Sequence, residues 1–289
     1  MRTKSLLSAA TLLVAGLAFA APAMAQEADP KPFDGLYVGG TVGFDAQPND
    51  TRSAILFDRN LDGAFTESVT TATGANAFAP TTAQPGAGFC NGRATSSGKL
   101  TGCTNDKDNI SYSGRIGFDK QYGHLVFGVV GEFGKSQVRD SVSAFSTTPA
   151  SYTMTRRIDF NANARLRAGY AFDKTLFYAT GGGAYARTKS SFATSNTANA
   201  FADNGSKHDA WGFVAGGGIE QKLGRHFSIG LEYLYNQYND KDYRVRVTRG
   251  SGPATNPFVL APNTTGTDFR RNDPKFRWSS VRATANFRF

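Results

Sequence analysis

The residue run in this chain with the spacing of a ligand set is Asp58-Arg59-Asn60-Leu61-Asp62-Gly63, with Glu67 close behind. Side-chain oxygens on alternate residues and a glycine at the sixth position form the opening of a calcium loop, because they wrap one centre and allow a sharp turn. The twelfth position, ordinarily a bidentate glutamate, is Val69, so Glu67 would have to close the shell by another path. The second reading is an Asp/Asn/Gly turn in a solvated loop. Calcium held by Asp58, Asn60, Asp62 and Glu67 is the sole cofactor expectation. Catalysis has less to stand on. Of the three histidines, His124 and His226 fall in short turns, and His208 stands beside Ser206 and Asp209 at the start of a strand. That is no nucleophile–base–orienter arrangement, and an enzyme is not expected. The glycine clusters at 39–43, 181–183 and 216–218 lack the βαβ surroundings of a nucleotide site. They read as close packing between strands.

Cys90 and Cys103 are the two cysteines of the chain, and their chemistry depends on the compartment. Arg2 and Lys4, the apolar run Leu6 to Ala21 and the small-residue site Ala23-Met24-Ala25 have the form of a secretory signal peptide over residues 1–25. Export makes a Cys90–Cys103 disulfide the expectation. Closing a loop of about 14 residues stabilises by ~3 kcal/mol in the chain-entropy account. Without Arg2 and Lys4, 30 cations face 23 acids, a net +7. In an exported protein that excess points to lipopolysaccharide phosphate rather than nucleic acid. The stretch 240–275 concentrates it, with Lys241, Arg244, Arg246, Arg249, Arg270, Arg271 and Lys275 against Asp240, Asp242, Asp268 and Asp273, which suits lipopolysaccharide phosphate or an anionic host ligand, or else a mixed, solvated loop.

The elements that must position these residues are strands. In the last fourteen residues Val281, Ala283, Ala285, Phe287 and Phe289 share one face, and Ser280, Arg282, Thr284, Asn286 and Arg288 the other. Alternation of period two is the mark of a strand. Similar runs begin at Leu36, Ile110, His124, Ile158, Thr175, Trp211 and Phe227, giving eight strands; glycines 181–183 leave the facing of the fifth open. Connections alternate long and short, the longest spanning residues 46–109. Past residue 25 no apolar run is long enough for a spanning helix, which leaves a closed barrel as the other way to cross a bilayer. The polar face collects Asp119, Glu132, Asp159, Glu220 and Glu232 with Arg115, Arg165, Arg167, Arg282 and Arg288. An eight-stranded interior is narrow enough to be filled by side chains, so these ten are expected to pair with one another.

The phrases LYVGGTVGF (36–44), RLRAGYAFDKTLFYATGGGAYA (165–186), GGGIEQKLGRHFSIGLEYLY (216–235) and VRATANFRF (281–289) resemble the opacity/OmpA-like family, and among it the small porin-like outer-membrane proteins of alphaproteobacteria. The resemblance implies an all-β, eight-stranded antiparallel transmembrane barrel over 26–289, with four long extracellular loops, short periplasmic turns and both mature termini in the periplasm. It implies Phe287 and the terminal Phe289 as the signal read by the barrel-assembly machinery. Outer-membrane lipid and lipopolysaccharide are the expected surroundings. Function is expected to be structural or porin-like, the alternative being an adhesin or receptor working through the loops.

Overall fold

The computed structural model describes residues 31–48 and 52–289. The expected signal peptide lies outside them. Eight long strands run β1 Gly35–Ala46, β2 Asn109–Tyr122, β3 Leu125–Ser136, β4 Ala150–Phe172, β5 Thr175–Thr194, β6 Lys207–Lys222, β7 Phe227–Asn239 and β8 Lys275–Arg288. Each pairs antiparallel with its neighbours in sequence, and β8 pairs with β1 to close the ring. At the seam Val42 stands opposite Ala283, and the Phe289 amide donates to the Leu36 carbonyl at 3.0 Å. Closure leaves no unpaired barrel edge, the condition for a sheet in hydrocarbon. At one end the turns are tight. Gly123 and Asp173 take φ of 59° and 50° there, conformations that hairpin turns demand and that Gly and Asp accept.

The faces are inverted relative to a soluble barrel. Outward residues are large and apolar, with Val42 59%, Phe133 61%, Leu166 70% and Leu231 58% exposed, while Arg165, Arg167 and Glu232 are at most 2% exposed. An apolar belt all around, over a charged interior, is the signature of a lipid-facing barrel. Register settles the facing of β5. Gly181 stands opposite Leu166, so Phe177 faces out while Leu176, Tyr178 and Ala184 are buried inside.

One expected facing is corrected. Between β4 and β5 the register slips: Arg187 stands opposite Phe160 and Thr188 opposite Ile158, leaving Asp159 without a partner. This is a β-bulge, and one extra residue exchanges the two faces of the strand beyond it. Arg156, Ile158, Met154 and Tyr152 are therefore buried. Ile158 does not face out, and Asp159 does not join the interior ion pairs.

Strands continue past the belt at the long-loop end. Arg139–Ser146 pairs with β4, and Gly88–Asn91 pairs with it in turn. A separate four-stranded sheet joins three connections, in the order Ala200–Asp203, Val245–Thr248, Thr267–Arg271, Ile55–Asp58. Between the sheets lies an apolar core with Phe57, Phe78, Tyr152, Phe258 and Phe269. The Phe57 ring is 4.6 Å from Phe78 and 5.0 Å from Phe269. The connections, expected as solvated loops, thus form a packed cap.

Candidate functional site

The barrel interior is built in layers, each supplied by the inward residues of several strands. At the short-turn end Phe33 is covered by Val126, Ala171 and Leu176. The next layer is ionic. Arg288 donates to Asp119 at 2.8 Å and to the Phe33 carbonyl at 2.6 Å. Arg167 donates to Glu220 and lies 3.5 Å from Asp119, with its guanidinium 3.9 Å from the Tyr178 ring. Two acids and two arginines there balance. Gly128 makes the layer possible: a Cβ on it would lie 2.0 Å from Asp119 Oδ1.

The middle layer holds Glu132 and Glu232 among three arginines. Arg282 donates to Glu132 at 2.5 and 2.8 Å and to Glu232 at 2.9 and 2.5 Å. Arg165 reaches Glu132 at 2.6 Å and Glu232 at 3.3 Å, and Arg115 reaches Glu232 at 3.3 Å. The Ser113 hydroxyl donates to Glu132 at 2.8 Å and the Tyr178 hydroxyl to Glu232 at 3.0 Å. Nine of the ten residues assigned inward from sequence thus meet in two adjoining clusters, five arginines against four acids. Asp45 is the interior acid that the sequence reading passed over. It is buried and accepts from Ser111 at 2.8 Å and Ser136 at 2.6 Å. Its signal was its phase with Tyr37 and Thr41.

Above the ions the interior turns apolar and aromatic. Tyr238 and Trp278 stack at 5.2 Å, with Phe276, Leu234, Val214 and Ile158 around them. A second ionic cluster lies over this layer, at the base of the cap. Asp140 accepts from Arg156 at 2.7 Å and from Arg271 at 2.5 Å, and Asp240 is 3.7 Å from Arg156. Burial would raise the Asp140 carboxyl, but the two guanidinium groups hold it below the ordinary carboxylate range. Nearby Asp106 lacks such a pair. Burial and the charge of Asp140 push its carboxyl up to about 6. Sequence reading missed this cluster because its members sit beyond the bulge or in connections without periodicity.

The remaining candidates fall as follows. Cys90 and Cys103 are bonded, with Cα atoms 6.4 Å apart. Cys90 belongs to Gly88–Asn91, a strand of the barrel's own sheet, so the bridge ties a hairpin onto that sheet and does not sit in an isolated loop. Asp58, Asn60 and Asp62 serve the backbone. Gly63 N–H donates to Asp58 at 2.8 Å, Asp62 N–H to Asn60 at 3.1 Å, Ala64 N–H to Asp62 at 2.7 Å, and Arg59 N–H to Glu67 at 3.2 Å. Among the described residues no three His, Cys, Asp or Glu converge as a metal site. Of the cations in 240–275, Arg271 is buried on Asp140, Arg246 pairs with Asp268, and Arg244 and Arg270 stack on Phe65. Phe287 and Phe289 point outward at the short-turn end, their rings 5.3 Å apart.

Architecture, inverted faces and ionic lumen define an outer-membrane type β-barrel. A profile of the family described as "Outer membrane protein beta-barrel domain" matches residues 11–251, and the chain belongs to that family. It is 28% identical over 140 residues to the 22 kDa outer membrane protein of Rhizobium leguminosarum bv. viciae, covering 48% of this chain and 58% of that one. It is 29% identical over 119 residues to the 31 kDa outer-membrane immunogenic protein of Brucella melitensis, covering 41% and 49%. The chain thus spans about half the length of these relatives. The crystal structure of OprG from Pseudomonas aeruginosa covers 89% of this chain and 96% of its own, at 13% identity and a TM-score of 0.46.

Proposed function

We propose that this protein is a non-enzymatic outer-membrane barrel that serves envelope integrity, with its lumen closed to solutes and its packed cap presented outside the cell. In this reading the short turns and both mature termini are periplasmic, and Phe287 and Phe289 are the residues read by the assembly machinery. The observation that carries it is the layered interior: two ionic clusters with nine residues from six strands, then the Tyr238–Trp278 stack, then the Asp140–Arg156–Arg271 cluster. Charged side chains held by several charge-assisted hydrogen bonds each are fixed in place, and in an eight-stranded interior they leave little free section for solute. Planar-bilayer recording of the refolded monomer tests it. The expected result is no stable open level; a large, weakly selective single-channel current would make the protein a porin. A second reading, contact with other surfaces through the loops, is favoured by the cap's own apolar core, which holds a defined surface in place. Adhesion of cells expressing a variant with the 52–108 segment shortened, against wild type, separates the two.

A further inference from the structure

Just past the apolar belt, on the outer face at the long-loop end, register sets five cations side by side. Lys107 bridges to Arg139, Arg139 stands opposite Arg157, Arg157 opposite Lys189, and Lys189 opposite Lys207. Directly opposed residues hold their Cβ atoms about 4.5–5.5 Å apart, and like charges so placed repel. For Arg139, Arg157 and Lys189 the facing is fixed by neighbours: Val138, Asp140, Arg156, Ile158, Thr188 and Ser190 are buried, so the residues between them point outward; Lys107 and Lys207 are exposed. Among the described residues none of the five side chains makes an ion pair or a hydrogen bond. The next outward pair toward the belt, Arg187 and Asp209, is by contrast neutralised at 3.2 Å.

Two further observations say what anion fits. At the long-loop rim of the belt, on the four neighbouring strands β3 to β6, Phe133, Phe160, Tyr185 and Trp211 follow one another at 5.5, 5.9 and 5.0 Å, an arc of aromatic side chains. Such an arc marks the level of the membrane interface. Arg157 lies three residues beyond Phe160, roughly 10 Å along the strand and roughly 7 Å higher at a tilt of about 45°. That is headgroup depth. Directly beyond the row, a cleft of about 620 Å³ is lined by Arg93, Lys107 and Arg139 against the one carboxyl of Asp106, with Thr153, Thr155 and Ser191 beside them. The hairpin closed by the disulfide forms one wall, held by the Ala94 N–H donating to Ser143 Oγ and the Ser141 N–H donating to Asp106. Cations at headgroup depth suit phosphate, and a hydroxyl-lined basic cleft above them suits the sugars that bear it.

We propose that the Lys107–Arg139–Arg157–Lys189–Lys207 row and its cleft bind the phosphorylated sugars of lipopolysaccharide in the surrounding outer leaflet. The proposal rests on the orientation given under Proposed function, with the long-loop end outside. It differs from the sequence expectation in place, since it takes the anion from the 240–275 connection to a row assembled across β4, β5, β6 and the Arg139–Ser146 strand.

The test uses the full chain refolded in detergent and titrated with purified lipopolysaccharide, beside R157Q/K189Q/K207Q, a variant of exposed side chains. Retained heat-modifiable gel mobility shows that the variant barrel is closed. Wild type is expected to bind in a salt-sensitive way, the variant about tenfold or more weaker, and R157K to keep wild-type affinity. Enzymatically dephosphorylated lipopolysaccharide should bind wild type as weakly as the variant binds the intact form. Variant affinity within about twofold of wild type, or equal wild-type affinity for the two glycolipids, overturns the proposal. Displacement of lipopolysaccharide by inorganic phosphate or a soluble sulfated saccharide at equal concentration would overturn it too, since the site would then be one for free anions. Binding in detergent does not depend on orientation; protease access to residues 93–107 on intact cells reports orientation separately.

Discussion

Glu232→Gln and Arg282→Met probe whether ion pairs hold the lumen together, and which sign is in excess there. Around Glu132 and Glu232 stand Arg115, Arg165 and Arg282, three cations against two anions. Arg282→Met keeps the aliphatic length and leaves two against two. Glu132 would retain Arg165 at 2.6 Å and Ser113 at 2.8 Å, and Glu232 would retain Arg115 and Arg165, each at 3.3 Å, and Tyr178 at 3.0 Å. Glu232→Gln leaves three guanidinium groups against one carboxylate, and Arg115 loses its ion pair among the described residues. Stranding a buried charge costs roughly 3–5 kcal/mol, whereas losing charge-assisted hydrogen bonds that are partly replaced costs about 1–3 kcal/mol. The expected order is Glu232→Gln at about 3–5 kcal/mol and Arg282→Met at about 1–3 kcal/mol. The double variant should fall short of the sum, because the two residues share partners. Urea unfolding in lipid vesicles, read by loss of the heat-modifiable band, gives the three values. Arg282→Met proving as costly as Glu232→Gln would refute the reasoning.

Gly128→Val should block barrel closure or displace Asp119, since a Cβ there meets the carboxylate and the Phe118 carbonyl at 2.0 and 2.6 Å; a wild-type unfolding midpoint would show that the strand can shift instead. The raised Asp106 carboxyl binds its proton more tightly folded than unfolded, so its contribution to holding the hairpin is full below the ordinary value of 3.8 and is lost as pH rises through about 6. Protection of residues 91–107 against hydrogen exchange, taken relative to the unfolded-chain rate at each pH, should therefore fall between pH 4 and 6, and Asp106→Asn should flatten that change; a profile unaltered by the substitution counts against it. Cys90→Ser with Cys103→Ser should leave the barrel closed, because the eight-strand ring pairs without that hairpin, while cleavage within 91–107 accelerates; loss of the closed form on gels would show that the bridge supports the ring. Because Asp58, Asn60 and Asp62 already hold their own turn, calcium and chelator are expected to give equal protease cleavage at 55–70. Protection by calcium that Asp58→Ala with Asp62→Ala abolishes would show that the turn holds the metal.

Local chain geometry was enough to determine part of this protein. Side chains alternate across any extended strand, so the run from Val281 to Phe289 showed its apolar face, and Arg115, Arg165, Arg167, Arg282 and Arg288 showed themselves as interior partners of Asp119, Glu132, Glu220 and Glu232. Who meets whom was decided by tertiary structure. Arg282 reaches Glu132 from 150 positions away, a pairing set by the shear of the closed ring. Asp159 is the sharpest failure. The alternation around it is unbroken in sequence, and the bulge that removes it from the lumen exists only as a register slip against Arg187 and Thr188. Phe57 and Phe269 lie on strands of only four and five residues, too short to carry a periodic signal, and Phe78 and Phe258 lie outside strands, so the cap core could not be read before those connections were brought together. Lys107, Arg139, Arg157, Lys189 and Lys207 are scattered cations along the chain. They become neighbours only through hydrogen-bonded register between strands, a relation between distant segments that local alternation does not encode.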